Sequence, residues 1–328
     1  MTAADQPGRP AWRTILALAW PALVQQGLLL TIQLYDQYLT GRFSQSHQAA
    51  LTTANYMYWF VTSYTVVVNA GATALVGRLV GAKNLPLAGR AAGQALGLAA
   101  GFGALGAVAA AAGLPALLRV LNLGDEQAGF AAAYLAPLAG LLPFYMIEVG
   151  GIACLVGAGD TRTGPKVLAT VAAVNVPLAY ALSRGAGPVP DLGFVGIAWG
   201  TGLSHVAGSL LVVATLARGR YGLRVGLPDL LPDPALVRRL LRVSIPAAVD
   251  SLSVGVFQFV FLGMVNRLGE TAAAAHGIAI RIEGLGYLSG AAFGTAAAAL
   301  VGRALRGRRP DLAARGGWTA FLLGAGVM

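Results

Sequence analysis

Four carboxylates, Asp36, Glu148, Asp250 and Glu283, stand inside long apolar stretches of a 328-residue chain. An ionised side chain in hydrocarbon costs roughly 3 kcal/mol or more, so such residues pair, face water or bind a cation. Asp36 sits near the end of the first apolar run, with Gln33, Tyr35 and Gln37 beside it. Two readings stand for it: a carboxylate resting in headgroup water, or one that takes a proton or holds a sodium ion through oxygen ligands. Pro21 weakens the backbone ladder of the same helix, which can then bend when the charge is neutralised. Asn175, two residues before Pro177, offers an amide to a neutralised carboxylate, or equally a plain polar contact between helices. Tyr35 and Tyr180 are candidate hydrogen-bonders of the same cluster, although tyrosine gathers at membrane interfaces for packing reasons alone.

The other acids divide further. Glu283 has Arg281 two residues away, a spacing that puts the two on different helix faces and prevents direct neutralisation. Asp250 follows Pro246 by four residues, and Glu148 reads as a cap or a partner in an ion pair. His47, His205 and His276 read as packing or interfacial residues. The single cysteine, Cys154, packs as a small hydrophobe. No cluster of His, Cys and carboxylate has metal-ligand spacing, and no nucleophilic triad or phosphate loop is present. The sequence therefore predicts no enzyme and no cofactor.

What must position these residues is a membrane. Apolar residues make up 56% of the chain and charged ones 11%, against roughly 25% charged in soluble domains. So few charges cannot cover a surface in water. Apolar runs long enough to cross about 30 Å of hydrocarbon recur instead. Eight spans are predicted, approximately 14–39, 48–80, 88–113, 127–156, 164–183, 193–217, 236–265 and 271–305, followed by an apolar stub at 318–328. The first run is too long for a cleaved signal peptide and reads as a retained helix.

The net charge of +10 is explained by placement. With the N-terminus in the cytoplasm, all of the 23 basic residues fall in cytoplasmic segments except Arg42, Arg119, Arg184, Arg267 and the intramembrane Arg281. That bias sets the orientation and removes any need for a nucleic-acid partner.

The pentapeptide ALVGR occurs at 74–78 and again at 299–303. The same offset lays WPALV at 20–24 on IPAAV at 245–249 without a gap, which favours an internal repeat. An even number of spans separates the copies, so the halves share one orientation, as in transporters built from two parallel six-helix lobes. The predicted fold is an all-α polytopic membrane protein: an N-terminal lobe at 1–217, a basic cytoplasmic linker at 218–235 and a partial C-terminal lobe at 236–328. A 225-residue repeat implies a complete protein of roughly 450 residues, so the second lobe is expected to be truncated here.

Several stretches resemble MATE (multidrug and toxic compound extrusion) transporters. WPALVQQGLLLTIQLYDQYLTGRF resembles the family's first helix, GATALVGRLVGA the end of its second, and TAAAAHGIAIRIEGLGYLSGAAFGTAAAALVGR its eighth. GAGDTRTGPKVLATVAAVNVPLAYAL resembles the junction of helices four and five, with glycine where the family usually has proline after GDTRT. The resemblance implies two lobes around a V-shaped cavity and export of organic cations in exchange for sodium ions or protons. It implies a coupling-ion site at Asp36 with Asn175, Tyr35 and Thr201, and a substrate cavity bearing Glu283 and Asp250. Some members carry a second aspartate where this chain has Ala179. The departure favours protons over sodium, although Thr201 or Ser204 would supply oxygen to a sodium ion held by Asp36 and Asn175. The expected partners are a small organic cation and the lipid bilayer of the inner or plasma membrane, with the protein a monomer. The alternatives are a lipid-linked precursor flippase of the same superfamily, which would need several basic residues in its cavity, and a non-transporting fragment.

Overall fold

The computed structural model describes residues 11–120, 125–187, 189–219, 222–266 and 310–327, with isolated positions between 279 and 301. Every regular element among them is helical: α1 (Ala11–Thr40), α2 (Gln45–Gly81), α3 (Leu85–Val120), α4 (Asp125–Gly140), α5 (Leu142–Gly157), α6 (Thr163–Arg184), α7 (Gly193–Ala217), α8 (Pro234–Asn266) and α9 (Pro310–Val327). A short 3-10 turn spans Leu227–Leu230. Among the described residues six helices are long and apolar enough to cross a membrane, namely α1, α2, α3, α6, α7 and α8. Their outward faces keep large apolar side chains, among them Trp20, Leu34, Leu105, Val108 and Leu210, each more than half exposed. Exposed apolar side chains of that kind are suited to lipid. The chain is an all-α polytopic membrane protein.

The predicted span 127–156 is two helices. Helices α4 and α5 meet at Leu141 with a bend of 53° and together make a seventh candidate span. The cause is local: Pro143 lies in the first turn of α5, has no N–H to return to the preceding turn, and its ring crowds the carbonyl there. The predicted eighth span, 271–305, falls mostly outside the described residues. Beyond it, the apolar stub is the C-terminal part of α9, whose helix begins at Pro310, a residue preorganised for a first helical position.

The chain forms two compact units, Leu28–Phe257 and Met1–Gly27 with Gln258–Met328. The smaller holds a core of Ile15, Ala19, Phe293, Ala296 and Ala320. In the larger, α2, α3 and α5 close around Val68, Val76, Ala95, Leu96 and Met146. A second core, centred on Leu51, Tyr134, Phe194 and Ile197, joins α2, α4 and α7.

Two features of the larger unit fix its helices and the segment that follows them. Helices α6 and α7 pack at backbone distance because Gly196 and Gly200, four apart on α7, present no side chain. A methyl group at Gly196 would collide with the Leu182 carbonyl, and one at Gly200 would lie 2.5 Å from the Ala179 Cα. Small residues at this spacing are what allow membrane helices to approach closely. The basic segment after α7 is also held down. Gln94 of α3 donates from Nε2 to the carbonyls of Asp229 (2.8 Å) and Leu231 (2.7 Å), and its Oε1 accepts from the Asp233 N–H (2.9 Å). Arg90 pairs with Asp233 at 3.3 Å.

Candidate functional site

Close packing of α6 on α7 brings Asn175 and Thr201 together, and α1 delivers Asp36 to the same point. Thr201 donates from Oγ1 to Asp36 Oδ2 (2.9 Å), and Asn175 Nδ2 donates to the same hydroxyl (3.0 Å). Asp36 is 6% exposed and Asn175 fully buried. The other carboxylate oxygen of Asp36, Oδ1, and the amide oxygen of Asn175, Oδ1, are buried without a hydrogen-bond partner. An orphaned buried acceptor costs about 1–3 kcal/mol, more when it is charged. Two of them in one cluster make a place that gains by receiving a proton or a cation.

The carboxylate opens on a small cavity of about 40 Å³, with Gln33, Asn55, Tyr134, Thr201 and His205 as its other polar walls. That is room for one to a few waters. Drug-sized ligands need cavities of roughly 300–1,000 Å³, so this one suits an ion, a proton or a water. Tyr134, buried on α4, lines the same cavity as Asp36. One turn beyond Thr201 on α7, His205 Nδ1 lies 2.9 Å from Glu148 Oε2 of α5, with the two side chains 7% and 1% exposed. Tyr145 stands edge-on to the imidazole, 4.9 Å between ring centroids.

The structure thus joins Asp36, Asn175 and Thr201 in one hydrogen-bonded chain. Ser204 turns away, donating to the Thr201 carbonyl at 2.7 Å. Tyr35 is half-buried, packs against the second core with its ring stacked toward Tyr38, and does not line the cavity. Tyr180 is exposed beneath the Arg184 guanidinium. Asp250 and Glu283 are both exposed, and neither lines the Asp36 cavity. Arg281 and His276 lie outside the described residues. No group of three His, Cys, Asp or Glu able to hold a metal occurs among the described residues.

Glu148 is in a pair, as its sequence context allowed, but the choice of His205 as partner, like the presence of Asn55 and Tyr134 at the site, was not read from the sequence. One signal for His205 was available: it follows Thr201 by four residues, which puts both on one face of α7. Nothing in the sequence pointed from His205 to Glu148, 57 residues away in the chain.

Known proteins share this arrangement of helices. The MatE family model matches residues 21–181 and 246–328. A probable multidrug resistance protein NorM from Thermotoga maritima is 29% identical over 298 residues, 89% of this chain and 62% of that protein. A probable multidrug resistance protein YoeA from Bacillus subtilis is 24% identical over 321 residues, 95% of this chain and 69% of the relative. The chain therefore spans just under two thirds of the length of the Thermotoga relative. Among solved structures, a MOP superfamily transporter from Pyrococcus furiosus superposes with a TM-score of 0.85 at 21% identity, covering 98% of this chain and 71% of that one. An outward-facing multidrug resistance MATE family transporter of the MOP superfamily gives 0.83 at 21% identity, covering 96% of this chain and 69% of that one.

Proposed function

The chain belongs to the MatE family, and from that premise we propose that it acts as a secondary active antiporter, exporting organic cations across the plasma membrane in exchange for protons. The reading places the N-terminus in the cytoplasm, with two lobes alternating access to a shared pathway. The observation that carries it is the half-anchored carboxylate. Asp36 has one oxygen held by Thr201 and the other buried without a donor, beside the equally orphaned Asn175 Oδ1. A proton arriving there removes the charge and supplies the missing hydrogen in one step.

Protons are favoured over sodium because the cluster brings a single carboxylate, Ala179 standing where a second acid would complete an oxygen cage. Energy couples to transport through differential affinity. If the proton binds one conformation of the lobes more tightly and the drug the other, each ligand's arrival favours the other's release. Moving a two-state equilibrium from 1:99 to 99:1 needs about 5.5 kcal/mol of such preference. The small cavity is too small for a drug, so substrate is assigned outside it, with Glu283 and Asp250 as the candidate acids for its positive charge.

The full-length protein in proteoliposomes tests the reading through ethidium efflux driven by a pH jump or by a sodium jump. Efflux that follows the pH jump and is lost in Asp36→Asn supports it. Efflux driven by sodium alone, or unchanged in Asp36→Asn, refutes it.

A further inference from the structure

The antiport reading uses Asp36, Thr201 and Asn175 and leaves unused a buried titratable pair, His205 and Glu148, of which His205 lies in the wall of the same cavity. We propose that His205 and Glu148 form a second proton-holding station that exchanges its proton with Asp36 through the cavity they share. The inference rests on Asp36 being the coupling carboxylate.

Three observations carry it. His205 lines the Asp36 cavity while its Nδ1 is committed to Glu148 at 2.9 Å, so Nε2 is the ring nitrogen left to deal with the cavity. With Glu148 ionised, Nδ1 must carry the hydrogen of that bond, which makes Nε2 a lone-pair acceptor. Second, the pair is built into α7 beside the ion site. Thr201, which holds Asp36, and His205, which holds Glu148, are one helical turn apart, about 6 Å along the axis. His205 is the deeper of the two, counted from the start of α7 at Gly193. Third, α7 makes room for the acid. Gly208 faces Glu148, and a side chain there would put its Cβ 2.5 Å from Oε2. A buried carboxylate and imidazole contribute little to stability compared with well-packed apolar residues, so packing alone does not account for the pair. The titratable groups facing it are Asp36 from α1, Tyr134 from α4 and Tyr145 from α5. From α6 the neighbour at Gly208 is the apolar Val171.

The step balances without any further reactant. The Asp36 carboxyl O–H breaks and an N–H forms at His205 Nε2, directly or through one water in the cavity. Asp36 becomes a carboxylate, and the imidazole becomes an imidazolium facing the Glu148 carboxylate. The three side chains carry one net negative charge before and after, so the proton moves inward without creating uncompensated charge. Returning it to Asp36 reverses each change.

The test uses the full-length protein in proteoliposomes, with ethidium as the transported cation and an entrapped pH dye reporting protons moved. His205→Gln and Glu148→Gln are compared with Asp36→Asn. Proton-driven efflux is expected to fall about 100-fold in His205→Gln, the usual scale for a lost proton-transfer group, with ethidium binding within about twofold of wild type. Glu148→Gln keeps an acceptor for Nδ1 but removes the counter-charge, and should slow proton movement in the same direction. If His205→Gln moves protons and ethidium at the wild-type rate while Asp36→Asn is inactive, the relay is wrong and the Asp36 reading stands. If Asp36→Asn is itself fully active, the Asp36 reading falls and the relay with it. Should His205→Gln fail to fold, the wild-type protein decides through the infrared difference spectrum induced by ethidium, with ring-labelled histidine. A labelled imidazole band supports the relay, and carboxyl bands alone overturn it.

Discussion

Replacing Gly200 with alanine should disconnect the site without touching any of its polar groups. The new Cβ would lie 2.5 Å from the Ala179 Cα and 2.6 Å from its nitrogen, both backbone atoms of α6 that cannot rotate away. Carbon atoms pack at about 3.5 Å, so α6 and α7 must separate locally by about 1 Å. The Asn175–Thr201 hydrogen bond, now 3.0 Å, would stretch to about 4 Å, beyond any useful geometry. Overpacking of this kind costs about 1–3 kcal/mol. The control is Gly101→Ala on α3, where a methyl group meets nothing within 4 Å and the gain in helix propensity should stabilise by about 0.5–1 kcal/mol. Thermal unfolding of the purified full-length protein in detergent measures both. Gly200→Ala should melt below wild type and Gly101→Ala at or above it. A Gly200→Ala protein as stable as the control would refute the claim that backbone contact between α6 and α7 holds the site together.

Three further outcomes are expected. Thr201→Val leaves Asp36 Oδ2 and the Asn175 amide without their shared partner, at about 1–3 kcal/mol per orphaned group; efflux and melting temperature should both fall, and Thr201→Ser should restore them. Gln94→Ala removes three hydrogen bonds to the segment 229–233, each worth about 1 kcal/mol. Limited proteolysis should then cut that segment sooner, with the transmembrane helices intact. Leu105→Arg, on the exposed face of α3, would be harmless in water but costs about 3 kcal/mol in hydrocarbon. The amount inserted in membranes should drop, and wild-type levels would contradict a lipid-facing α3.

The apolar runs were legible because membrane spans declare themselves by length, and a run of hydrophobic residues reads the same whatever it packs against. The break between α4 and α5 was not, since the hydrophobicity continues straight through Leu141 and proline alone, at 137 and 143, does not say where a span bends. Asp36 stood out as a charge in an apolar run, whereas its attachment to Thr201 depends on how α6 and α7 cross, which rests on Gly196 and Gly200. Glycine is so common in this chain, 45 of 328 residues, that those two carried no special signal. Glu148 and His205 were each visible as polar residues in apolar helices. Their pairing joins α5 to α7, and single-sequence periodicity says nothing about which helix lies beside which.

The missing side chain at Gly208 ties two positions together in evolution. The space opposite Glu148 exists only while position 208 has no Cβ, so position 208 cannot gain a side chain while Glu148 and Val171 stay where they are. A mutation adding a methyl group at 208 becomes tolerable only after position 148 has shortened and the Val171 side chain has given way. Across related transporters, glycine at the position of Gly208 should therefore accompany a long acid at that of Glu148, and bulkier residues should accompany its loss.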